Sequence, residues 1–188
     1  MMLAQFSNQT PEEALQLIMF WRKAGRELWF AKDAAFDALF TESFIELYEQ
    51  AAKGQLDHWT STARGSLALI ILLDQFPRNA FRGEPKAYAT DAHARRIATL
   101  ATGWGQDLMI DFDLRVFVYL PFGHSESLAD HVRGGELLEH LGSPYTDHAK
   151  KYRGIIETFG RFPHRNPILG RKATSDEEEF LRNGGFSG

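Results

Sequence analysis

Between residues 161 and 172 the chain places Arg161, Arg165, Arg171 and Lys172 beside His164, with no acidic residue among them. Guanidinium groups bind carboxylate or phosphate through paired N–H donors. The run also ends where a helix is expected to begin, and free N–H groups and the macrodipole favour anions there. A charged hydrogen bond contributes about 1.5–3 kcal/mol, so two or three of them would hold a small anion or an acidic peptide. Arg78, Asn79 and Asn166 are the further ligand-binding candidates. The same arginines could instead pair with Asp37, Asp74 or Glu126 and pin the loop. The residue pattern leaves both readings open.

His124-Ser125-Glu126 is the second constellation. Histidine and glutamate two apart at a helix start suit acid–base work, with His164 as a further candidate. The plainer reading is that Ser125 caps the helix, Glu126 complements its dipole and His124 bonds to backbone. Gly123 to Ser127 imitates a nucleophile elbow but lacks the final glycine. It also follows Pro121 in a helical context rather than a strand. A metal site from His124, Glu126, His148 and His164 would need distant segments to converge. Neither Glu-x-x-His from paired helices nor His-Glu-x-x-His is present, so no metal is expected. There is no phosphate-binding loop, Gly103-Trp104-Gly105 is no dinucleotide fingerprint, and no cofactor is expected.

These groups need a scaffold. A chain of 188 residues suits one domain, here 1–188, with 183–188 expected to fray. Apolar residues are 44% and charged residues 24%, which excludes a disordered chain. The aromatic load of 15 Phe, 4 Trp and 5 Tyr points to a large core. Trp21, Trp29, Phe30 and Trp59 could line a peptide groove, but core packing is the simpler role. A net charge of −4 argues against nucleic acid as partner. The absence of cysteine excludes disulfides and thiolate chemistry. No basic stretch followed by an apolar run opens the chain. The longest apolar run, Leu67 to Leu73, falls short of the about 20 residues that span a bilayer. A cytoplasmic protein without membrane contact is expected.

Helical periodicity recurs throughout. Thr10-Pro11-Glu12-Glu13 predicts a capped start for a first helix that Gly25 ends. Asp33 caps a second, with Phe36, Phe40, Phe44, Leu47 and Tyr48 on one stripe and Gly54 after it. A third runs from Thr62 to Phe76, buried on all sides, and Pro77 stops it. A fourth runs from Pro85 to before Gly103, with Ala94, Ile97, Ala98 and Ala101 inward. A fifth around Leu114 to Leu120 closes at Pro121. Ser125 caps a sixth and Tyr145 to Phe159 forms a seventh. Thr174 with Glu177 makes a capping box for the last. The result is an all-α fold of about eight helices packed as antiparallel hairpins, with no repeat at the roughly 34-residue period of helical-hairpin arrays.

One internal echo stands out. Asp74-Gln75-Phe76-Pro77-Arg78-Asn79 is matched by Gly160-Arg161-Phe162-Pro163-His164-Arg165-Asn166. With Phe20-Trp21, Trp29-Phe30, Gly54-Gln55-Leu56, Tyr119-Leu120-Pro121 and Leu169-Gly170-Arg171, these segments resemble a bacterial family, domain of unknown function 924. The departures are minor: Ala63 and Ala173 stand where Pro and Ser or Thr are usual. The resemblance implies a tetratricopeptide-like helical fold and no particular activity. The two Phe-Pro turns are expected on one side of the helical stack. The leading expectation is a binding protein for a small anion or acidic peptide. The alternatives are an enzyme acting on a small anionic metabolite, with His124 or His164 as acid–base group, Glu126 orienting and Arg165 holding charge, or a purely structural subunit.

Overall fold

Every residue from 65 to 77 is buried, so the apolar run read from the sequence does lie at the centre. The computed structural model describes residues 9–188. Its helices are α1 (Glu12–Trp29), α2 (Ala34–Ala52), α3 (Ala63–Ile70), α4 (Phe76–Ala80), α5 (Asp91–Gly103), α6 (Phe112–Gly123), α7 (Leu128–Leu138), α8 (Tyr145–Phe159) and α9 (Ser175–Arg182). No strand occurs among the described residues. A π turn, Ile71–Gln75, joins α3 to α4 without a break, so these segments form eight helical rods. Short 3-10 turns and loops connect them.

Pro77 does not stop the third helix. The Phe76 N–H reaches back five residues to the Ile71 carbonyl, and this wider turn takes up the proline. Proline has no N–H to offer the carbonyl of Leu73, four residues earlier. The Thr90 hydroxyl donates to that carbonyl at 2.6 Å instead. Pro121 likewise lies inside α6 rather than closing it. The expected fourth helix divides into a 3-10 turn, Pro85–Tyr88, and α5, which includes Gly103.

The capping expectations divide. Asp33 accepts from the Phe36 N–H at 2.8 Å, and Thr174 and Glu177 form a reciprocal capping box. At α1 the cap position is Pro11, with no side-chain cap; the Thr10 hydroxyl bonds to Thr62 instead. The cap position of α7 is Ser127, not Ser125.

Aromatic rings knit α1 and α2 to α6. Phe40 lies 5.2 Å from Trp21 between ring centroids, and Phe117 lies 5.3 Å from Trp21 and 5.1 Å from Trp29. Trp21, Trp29 and Trp59 are core, while Phe30 is 54% exposed. Two glycines set close approaches. A Cβ on Gly65 would stand 2.1 Å from the Trp59 carbonyl oxygen, and one on Gly134 would meet Phe122 Cβ at 2.9 Å. They allow α3 to seat on the 3-10 turn Asp57–Ser61 and α7 to seat on α6. A smaller apolar cluster of Ile155, Ile156 and Phe162 joins α8 to the C-terminal turn. Within residues 183–188, Phe186 packs on Tyr152 at 4.7 Å and on His164 at 4.9 Å.

Candidate functional site

Gly25 takes a positive φ of 73°, which bends α1 before its last turn. Beyond the bend, Arg26, Trp29 and Lys32 line one edge of a cleft of 530 Å³. The end of the π turn and α4 contribute Gln75, Arg78, Asn79 and Arg82. Helix α6 contributes Tyr119, its C-terminal cap position is His124, α7 contributes His131, and α8 contributes Tyr145, His148 and Tyr152. Phe186 and Gly188 lie at its margin. The lining holds four guanidinium or ammonium groups and no carboxylate.

Asp74 lies directly beneath this lining and is fully buried. One of its oxygens meets His124 Nδ1 at 2.7 Å and Arg78 Nη1 at 3.2 Å. The other accepts from Gln75 Nε2 at 2.7 Å. Burial alone would push this carboxyl up, but Arg78 and then His124 outweigh it and hold it well below the usual carboxylate range. The carboxylate therefore stays ionised, and the Nδ1 of His124 donates to it. The Nε2 of His124 makes no hydrogen bond among the described residues.

Not all the cations are free. Arg78 makes two parallel bonds to Asp91, at 2.8 and 2.9 Å. Arg82 and the Asn79 amide both donate to Asp37. Arg26 lies over the Tyr145 ring at 5.3 Å and Lys32 donates to the Gly188 carbonyl at 2.9 Å. Neither Arg26 nor Lys32 has an Asp or Glu partner among the described residues.

The two Phe-Pro turns do meet, and Asp91 joins them: it also stands 3.6 Å from Arg165. Arg165 is only 6% exposed. Its guanidinium lies 4.6 Å from both the Tyr88 and Phe162 rings and donates to the His124 carbonyl at 3.0 Å. Its Nε is buried without a partner. Arg171 makes two bonds to Glu126, at 2.7 and 3.0 Å, and a third to the Asn166 side chain at 2.9 Å. Arg161 holds Glu177 at 2.6 and 2.8 Å, and Asn166 donates to the same carboxylate at 3.1 Å.

Of the residues singled out in the sequence, His124, Arg78 and Asn79 thus line the cleft. Arg161, Arg165, Asn166, Arg171 and Glu126 form a bonded layer outside its lining, and His164 packs beside them. Glu126 does not reach His124; it accepts from Arg171 and from the Phe162 N–H at 2.8 Å. The orienting carboxylate of His124 is Asp74. His164 sits against Phe162 and Phe186, with Nδ1 buried and unbonded. Burial, helped by Arg165, pushes its pKa down to about 4. Arg26, Lys32, Gln75, His131 and Tyr145 escaped the sequence reading. For Arg26 and Lys32 the signal was Gly25, since a break there re-aims the residues that directly follow. No cluster of three metal-ligating side chains occurs among the described residues. None of the described helices is long and apolar enough to cross a membrane.

The described residues thus form an all-helical scaffold around a cation-lined cleft, with a part-buried His124 resting on the buried Asp74. Residues 17–185 match the model of a family described as bacterial protein of unknown function, DUF924, and the chain belongs to that family. Its fold is similar to the solved structure of ATU0120 from Agrobacterium tumefaciens, itself a protein of unknown function. The two are 48% identical with a TM-score of 0.91, over 94% of this chain and 100% of that one. No curated protein matches.

Proposed function

We propose that the cleft binds a small anion bearing a carboxylate or phosphate group. The observation that carries this reading is the pair of cations on its lining, Arg26 and Lys32, that have no Asp or Glu partner among the described residues. A volume of 530 Å³ fits a small-molecule site better than an extended peptide. Trp29, Tyr145 and Tyr152 supply apolar walls, which strengthen charge–charge contacts by excluding water. The arginines of the C-terminal turn are already bonded, so Arg161 and Arg171 support the site from outside rather than meeting the ligand. Packing of α5 on α6, α6 on α7 and α7 on α8 supports a hairpin scaffold of the tetratricopeptide-like kind.

The test is thermal unfolding with phosphate, succinate and citrate. A ligand that binds only the folded state raises Tm by mass action. The joint variant Arg26→Ala, Lys32→Ala should lose that rise, whereas Arg171→Ala should lower Tm yet keep it. No rise with any of the three anions would discard the reading.

A further inference from the structure

We infer that the cleft is a reaction site as well as a binding site: His124 is a general base, Asp74 is its positioning residue, and the substrate is a small anion with a removable proton. This rests on the anion-binding reading above and adds a reaction to it.

The geometry is that of an imidazole prepared from behind. Asp74 is fully buried and ionised, so it can only accept, and the neutral ring must carry its proton on Nδ1. That leaves the lone pair on Nε2. The carboxylate itself cannot turn, because Gln75 holds its second oxygen at 2.7 Å and Arg78 approaches the first at 3.2 Å. The backbone of His124 is also tied, since its carbonyl accepts from Arg165 at 3.0 Å. The bond to Asp74 thus sets ring orientation and tautomer, and the bond from Arg165 holds the main chain. His131 offers the contrast on the same lining. Its Nε2 is engaged with the Ser125 carbonyl at 2.7 Å, which is the arrangement of a structural histidine. His124 keeps its Nε2 open in a cleft where Arg26 and Lys32, cations with no Asp or Glu partner, can hold an anion.

In the step itself, the Nε2 lone pair takes a proton from an O–H, N–H or acidic C–H of the bound anion. The bond to hydrogen breaks, its electron pair stays on the substrate, and an Nε2–H bond forms. Asp74 balances the imidazolium charge. Return of the proton from Nε2 to another atom of the substrate closes the cycle without any oxidant, reductant or further reactant.

Diethylpyrocarbonate tests this directly, because it acylates an imidazole nitrogen that carries a free lone pair. Modification of the intact protein is mapped by mass spectrometry. The expectation is that His124 reacts and that saturating citrate slows it about tenfold, by covering a base that touches the anion. Asp74→Asn should slow the reaction by about tenfold or more through loss of the tautomer. Should Asp74→Asn fail to fold, nitrogen NMR of the unaltered protein decides. It must show a proton on Nδ1 and a bare Nε2 at His124, and a proton on Nε2 would overturn the proposal. So would an unreactive His124 beside a reactive His140. If citrate raises Tm but leaves the His124 reaction and resonance unchanged, the anion site stands and the general base falls. If no anion raises Tm, the binding reading itself has failed.

Discussion

The hydroxyl of Thr90 donates to the carbonyl of Leu73 at 2.6 Å, supplying the donor that Pro77 cannot. Both groups are buried. Thr90→Val keeps the shape and removes the bond, leaving a buried carbonyl short of a partner. We expect a loss of about 1–3 kcal/mol in urea unfolding. A change within error would mean that water or another group satisfies Leu73.

Leu69 and Leu72 are completely enclosed in the central rod. Truncating either to alanine should cost about 2–5 kcal/mol, the range for a cavity in a tight core. Gly65→Ala is expected to be worse than its single added methyl suggests, because the obstacle is the Trp59 carbonyl, a backbone atom that cannot rotate away. Circular dichroism melts of the three variants would rank them.

Acid should weaken the fold in two successive windows. His164 is neutral when folded, with a pKa of about 4 against an ordinary value of 6.5. The unfolded chain takes up that proton first, so stability falls as pH drops from about 6.5 towards 4. Glu177 is held down to about 2, chiefly by its bonds to Arg161 against an opposing effect of burial, with the Thr174 N–H adding to it. Its contribution is complete above its ordinary 4.5 and is lost as pH falls towards 2. Unfolding midpoints measured against pH should show both slopes. His164→Phe should lessen the upper slope, leaving the share of His131, and Glu177→Gln should lessen the lower, leaving the shares of Asp74 and Glu126.

Glu126 is bonded to Arg171 twice and to the Phe162 N–H. Arg171→Ala strips the carboxylate of its main partner and should cost about 1–3 kcal/mol. Citrate should still raise the Tm of this variant by the amount seen in the unaltered protein. An abolished response would move the anion site back to the C-terminal turn.

The helices were legible because periodicity and caps are local. Asp33 and the Thr174–Glu177 box work within one turn, and the Leu67–Leu73 run announces its burial by lacking any polar side. The helix ends at Pro77 and Pro121 were not legible. Whether a proline stops a helix depends on what else can bond the freed carbonyl, and Thr90 lies in another segment. The same limit applied to the site. The Arg–His cluster of the C-terminal turn was visible as a cluster, but its carboxylates, Glu126 and Glu177, lie beyond the turn. Gly25 hinted that the chain near Arg26 and Lys32 changes direction, but what distinguishes the two cations, the lack of an Asp or Glu partner, showed nowhere in the sequence. Asp74 was visible in a repeated motif and as a possible arginine partner, with no hint that His124, fifty residues on, would rest upon it.

The cleft margin formed by Phe186 and Gly188 has a consequence for biosynthesis. The bend at Gly25 and the His124–Asp74 pair leave the ribosome before Phe186 does, so the margin that Phe186 forms is the later part to close. A nascent chain ending short of that phenylalanine would hold the His124 imidazole in a wider, more watery hollow.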